Sequence, residues 1–138
     1  MKVIVVGSGG REHAIAYTLA QSKSVDEVIC IPGNGGTALE AKCRNVDVQG
    51  TLEQTVISTA KQDSAAFAVI GPEDPLAAGI ADALWNAGIP TVGPKAQGAA
   101  LEASKDLSKQ FMAKYGVACA ESATFTDSDA ALAYVHEK

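Results

Sequence analysis

Apolar residues recur along most of the chain in two alternating rhythms. Short continuous runs within 2–6, 28–31 and 67–70 read as strands covered on both faces, because no polar position interrupts their apolar cores. Shorter strands are predicted near 45–48 and at 89–92. Between them, 11–22, 52–62 and 76–87 carry helical spacing, with Ala14, Ile15, Tyr17, Thr18 and Leu19 supplying the apolar stripe of the first. Thr51 with Gln54 forms a capping box for the second helix. Asp74 is placed as N-cap of the third, with Pro75 in its first turn and Gly88 as its left-handed stop. Strand and helix in alternation predict an α/β fold: a Rossmann-like, doubly wound parallel sheet with helices on both faces.

The alternation fades after Pro94. Positions 95–101 suit a connecting helix, and Ser104 suits the N-cap of a helix reaching about Tyr115, closed by Gly116. Phe125-Thr126-Asp127 then leads into a last helix that continues to Lys138. No strand pattern accompanies these helices. The stretch reads as the opening of a second domain.

Composition narrows the class. The chain has 138 residues, room for one ordinary domain with a short appendage. A formal charge of −5 argues against binding nucleic acid, which needs a basic face. No apolar run approaches a membrane span, and the N-terminus lacks a signal-peptide layout. Cys30, Cys43 and Cys119 are odd in number and lack metal-ligand spacing, which points to thiols in or near the core and a cytoplasmic location.

Chemistry gathers where predicted strands end, since a doubly wound sheet binds ligands at the carboxyl ends of its strands. Three turns fall there: Gly7-Ser8-Gly9-Gly10, Pro32-Gly33-Asn34-Gly35-Gly36-Thr37 and Gly71-Pro72-Glu73-Asp74-Pro75. The first, followed by a helix N-terminus, offers backbone N–H groups and the positive end of a helix dipole to an anion. The second allows close approach to a small ligand. The third carries two carboxylates suited to ribose hydroxyls or an amine. Together they predict a crevice for a phosphorylated sugar bearing an amine.

A dinucleotide fits this turn poorly. The G-x-G-x-x-G fingerprint is met by Gly7 and Gly9 but broken by Glu12, and the second strand ends in Pro32-Gly33 without the carboxylate a nicotinamide dinucleotide needs. No P-loop occurs. Duller roles are open for several residues: Arg11 and Glu12 as a solvated first turn, His13 as a structural histidine, Asp74 as a cap alone.

Read together, Val-Val-Gly-Ser-Gly-Gly-Arg-Glu-His-Ala (5–14), Pro-Gly-Asn-Gly-Gly-Thr-Ala (32–38), Val-Ile-Gly-Pro-Glu-Asp-Pro-Leu (69–76) and Gly-Pro-Lys-Ala (93–96) closely resemble the glycinamide ribonucleotide synthetase family. The resemblance extends through 101–106 and 124–127, and so covers the chain. It implies a place in the ATP-grasp superfamily and in purine synthesis. There ATP phosphorylates glycine, 5-phosphoribosylamine attacks the acyl phosphate, and ADP and phosphate leave. By this resemblance 1–100 form a Rossmann-like substrate-binding domain, and 101–138 the first elements of an ATP-grasp region. Facing phosphoribosylamine it implies Ser8, Gly9, Gly10, Arg11, Glu12, Asn34, Gly35, Gly36, Thr37, Glu73 and Asp74. Lys105 resembles the lysine that reaches nucleotide phosphates, although Ala103 stands where the family more usually has glycine.

The resemblance implies ATP with Mg²⁺ or Mn²⁺ in a longer, monomeric enzyme. It places no catalytic residue, metal ligand or tightly bound cofactor within these residues, so the chain alone is expected to be inactive. Two other readings are a nucleotide-binding regulatory module and the equivalent domain of another ATP-grasp ligase or carboxylase.

Overall fold

A computed structural model describes residues 1–138. The chain divides into two units, Met1–Ala103 and Ser104–Lys138.

The first unit is built on five strands: β1 (Lys2–Gly7), β2 (Glu27–Pro32), β3 (Cys43–Asn45), β4 (Phe67–Ile70) and β5 (Thr91–Val92). They form one sheet in the order β3-β2-β1-β4-β5, and every neighbouring pair is parallel. Helices α1 (Gly10–Ala20), α2 (Leu52–Asp63), α3 (Glu73–Ala77), α4 (Ile80–Asn86) and α5 (Ala96–Ala103) complete the unit. This is the doubly wound α/β fold that the alternating pattern predicts.

The continuous apolar runs are explained by burial on both sides. Ile4, Val6, Ile29 and Ile31 pack on one face with Val56 of α2 and Leu84 of α4. Val3, Val5, Val28 and Cys30 pack on the other with Ala16 and Ala20 of α1. Each large side chain so buried stabilises the fold by about 1.5–3 kcal/mol relative to exposure. Small Ala16 and Ala20 let α1 lie close to the strands.

Local signals are largely observed as read. Thr51 accepts from the Gln54 amide at 3.2 Å while Gln54 accepts from the Thr51 amide at 3.4 Å, the reciprocal box that starts α2. Gly88 follows α4 at φ +79°, where a Cβ would be strained.

Several expectations need correction, among them the fifth strand, which is shortened from 89–92 to Thr91–Val92. The third strand lies at Cys43–Asn45, not 45–48, because its register is set by pairing with β2: Val28 faces Cys43 and Cys30 faces Asn45. The helix expected over 76–87 is broken in two at Gly79, whose φ of +94° cannot continue a right-handed helix. It starts earlier than expected, with Pro72 as N-cap, so Asp74 lies inside the first turn of α3 instead of capping it.

A charge network closes the amino-terminal side of the sheet. Lys2 bridges Asp63 at 2.9 Å and Glu27 at 3.1 Å, and Arg44 bridges the same two carboxylates at 2.7 and 2.6 Å. The Lys2 hydrogen bond holds Asp63 below its ordinary value, with Arg44 reinforcing it. Burial pushes Glu27 upward, but its bonds to Arg44 and Lys2 outweigh that and leave it depressed.

The second unit contains α6 (Lys105–Tyr115) and α7 (Ser128–Glu137) joined by an extended segment. Ser104 caps α6 by accepting from the Leu107 amide at 3.2 Å, and Gly116 closes it at φ +67°. Asp127 caps α7 in the same manner. Phe111 packs against Tyr115, and Phe125 against Tyr134, as tilted ring pairs with centroids 4.5 and 5.2 Å apart. No side chain of either helix is buried. Cys119, expected in or near a core, is exposed here, because these helices enclose no interior.

Candidate functional site

Because β2, β1 and β4 are neighbours, the chain leaves all three at one edge of the sheet. The Gly33 amide donates to the Gly7 carbonyl and the Gly71 amide to the Val6 carbonyl, both at 3.1 Å. The turns after β2 and β4 are therefore stitched to either side of the turn after β1. Adjacency in the sheet, far from adjacency in sequence, assembles them.

Asn34 locks the first two turns together. Its Nδ2 donates to the Ser8 carbonyl at 2.9 Å and lies 3.4 Å from the Gly9 carbonyl. Its Oδ1 accepts from the amides of Gly36 and Thr37 at 2.8 and 2.9 Å. The buried Thr37 hydroxyl accepts from the Asn34 amide at 2.8 Å and meets Asn45 Oδ1 at 2.7 Å. Asn45 in turn donates to the Asn34 carbonyl at 2.8 Å. The sequence pattern does not point to Asn45; it lies at the carboxyl edge because β3 ends at this residue instead of beginning there.

His13 holds the same turn from α1. Its Nε2 lies 2.9 Å from Glu40 Oε1, and its ring lies so close to Gly36 that a Cβ there would fall 2.4 Å from Cε1. Gly36 is needed for this approach. Its neighbour Gly35 and the helix-starting Gly10 differ: a Cβ on either meets nothing within 4 Å. Those two glycines border open space.

Glu12 is not a solvated first-turn residue. It is 5% exposed, and its Oε2 accepts from the Gly9 amide at 2.8 Å while Oε1 accepts from Arg11 Nε at 2.9 Å. Arg11 also reaches Glu73 Oε2 at 3.5 Å, joining the first turn to the third. The arginine lowers the Glu73 carboxyl, second to the backbone bond within Glu73 itself. The amides of Gly10 and Arg11 donate to no group of the protein. They remain free to bind an anion at the positive end of α1.

Ser8 through Glu12, Asn34 through Thr37 and Glu73 are thus brought together. Asp74 is not drawn into their hydrogen-bond network. It lines a hollow of about 380 Å³ with Thr51, Leu52, Glu53, Pro75 and Ala78. Lys105 is the first residue of α6, in the second unit. No three His, Cys, Asp or Glu side chains cluster so as to hold a metal ion.

Residues 1–102 match the family described as phosphoribosylglycinamide synthetase, N domain. The chain belongs to that family. Over all 138 residues this N-domain chain is 49% identical to the phosphoribosylamine–glycine ligase of Xanthomonas campestris pv. campestris, of which it spans 32%. It spans about a third of the curated phosphoribosylamine–glycine ligases it matches. The crystal structure of the phosphoribosylamine–glycine ligase of Thermotoga maritima superposes with a TM-score of 0.62 at 30% identity, covering 88% of this chain and 26% of that one. The biotin carboxylase domain of a single-chain bacterial carboxylase superposes with a TM-score of 0.69 at 14% identity, covering 99% of this chain and 34% of that domain. That second likeness is one of fold.

Proposed function

We propose that this N domain forms the phosphoribosylamine-binding part of a phosphoribosylamine–glycine ligase, acting in the cytoplasm in purine synthesis. The ligase joins glycine to 5-phosphoribosylamine and releases ADP and phosphate. The observation carrying this reading is the convergence of three turns at one sheet edge, with the free Gly10 and Arg11 amides at its centre. Those amides and the α1 dipole suit the 5-phosphate. The Asn34–Gly36 turn, with Gly35 bordering open space, suits close passage of the sugar. Glu73, half exposed and paired only loosely with Arg11, is an acceptor for a ribose hydroxyl or the amine. In this reading Ser8, Gly9 and Thr37 shape the turns, and Asp74 flanks the crevice.

ATP supplies the phosphoryl group that activates glycine, and Mg²⁺ or Mn²⁺ offsets its charge. The residues of this chain do not fit a metal, since no ligand cluster exists. What these residues can do is bind and orient: hold the sugar phosphate at the turn and present its amine toward the glycyl phosphate that would form from glycine and ATP in the complete enzyme. Lys105 is proposed to reach nucleotide phosphates in the complete enzyme.

The test uses ribose 5-phosphate as a stable stand-in, titrated into the chain while amide resonances are followed. Shifts should concentrate at Gly9–Arg11 and Asn34–Gly36, and ribose without phosphate should leave Gly10 and Arg11 unmoved. Shifts centred elsewhere, or none, would refute the reading. Ligase turnover by the 138-residue chain with ATP, glycine and phosphoribosylamine should be undetectable.

A further inference from the structure

Three glycines from two different turns are carved around one carboxylate. A Cβ at Gly7 would fall 2.5 Å from Glu12 Cγ, one at Gly9 2.9 Å from Oε2, and one at Gly71 2.1 Å from Oε1. Glu12 is therefore a wedge, held between the turn leaving β1 and the turn leaving β4. It occupies the position of the third glycine in a dinucleotide-binding turn, where the missing side chain lets helix and strand pack closely. Here the room is filled, and the Gly9 amide is already taken at 2.8 Å by the carboxylate.

We propose that Glu12 is the residue that sets this turn for a single phosphoryl group and turns away pyrophosphate ligands. The proposal rests on the sugar-phosphate reading above and adds the source of its selectivity. Two effects act together. Removing the Gly9 amide leaves the outer amides of Gly10 and Arg11, enough for one phosphoryl group but short of what two require. The buried negative charge beneath the turn also repels a second phosphoryl group drawn in toward β1 and β4, where Arg11 Nε compensates it from one side only. Glu12 touches no substrate in this account. It is a positioning residue acting through the Gly9 and Gly71 backbone.

The test compares ribose 5-phosphate with ADP-ribose, which carries the same sugar phosphate within a pyrophosphate, by calorimetric titration of the chain and of Glu12 variants. The wild-type chain should prefer ribose 5-phosphate by about tenfold or more. Glu12→Gly should narrow or invert that ratio by about tenfold, whereas Glu12→Gln, which still accepts from Gly9 but lacks the charge, should narrow it by an intermediate factor of about threefold. A merely structural role would lower the melting temperature of both variants and leave the ratio alone. Equal affinities in the wild type overturn the proposal without any variant, which covers the case in which Glu12→Gly does not fold. An unchanged ratio in a folded Glu12→Gly overturns it as well, with the sugar-phosphate reading intact. Failure of the wild type to bind ribose 5-phosphate removes that reading, and the selectivity with it.

Discussion

Asn34 reaches from the turn after β2 to the Ser8 carbonyl, 2.9 Å away in the turn after β1, and so fastens two loops that are 26 residues apart in sequence. Its oxygen meanwhile folds its own turn by accepting two amides. Every hydrogen-bonding function of the side chain is used. Asn34→Ala should lower stability by about 1–3 kcal/mol and weaken ribose 5-phosphate binding by about tenfold. Asn34→Asp keeps the oxygen but sets a carboxylate against the Ser8 carbonyl, and should bind more weakly still. Thermal unfolding and titration of both variants check this; an Asp variant that binds like wild type would show the latch to be dispensable.

Glycines at the site separate into two kinds. Gly10 borders empty space, so Gly10→Val should fold with a melting temperature near that of wild type yet lose sugar-phosphate binding. Gly36 presses on the His13 ring, so Gly36→Ala should cost about 1–3 kcal/mol of stability through overpacking. Circular dichroism melts alongside titration distinguish them. A destabilised Gly10→Val that still binds would reverse the assignment.

Acid should unravel the amino-terminal side of the sheet. Asp63 and Glu27 are held below their ordinary values of 3.8 and 4.5. Their stabilisation is therefore complete above those values and disappears as the pH falls through the lower folded ones. Urea midpoints should stay level from about pH 7 to about pH 5 and drop below about pH 4. Arg44→Met should lower the neutral plateau by about 1 kcal/mol and flatten the acid fall. An acid limb of the same steepness in the variant would show that other carboxylates control it.

The three thiols should react in a fixed order. Burial, with Cys43 alongside, pushes Cys30 up to about 11, and burial also raises Cys43. Cys119 is exposed. With a disulfide reagent near pH 8, about one thiol should titrate at once, Cys43 slowly, and Cys30 only on unfolding. Mapping labelled peptides by mass spectrometry would expose any early modification at Cys30.

What the sequence makes legible follows from how local each cause is. The apolar cores of β1, β2 and β4, the Thr51–Gln54 box and the Gly88 and Gly116 stops depend on near neighbours, and they lie where the pattern puts them. The three turns could be placed at strand ends for the same reason. The Gly79 break and the Pro72 cap have local causes, whereas the other misjudged parts depend on distant partners. β3 has no apolar run and is defined by its register with β2. Glu12 looks like an ordinary acidic first-turn residue until Gly71, brought in by β4, closes over it. Asn45 joins the site only because the β3 register carries it there.

Both margins of the sheet are brief: β3 spans three residues and β5 two. An incoming extended peptide would find few open backbone donors and acceptors to pair with on either flank. This arrangement protects the unit against the edge-to-edge association to which open parallel sheets are prone.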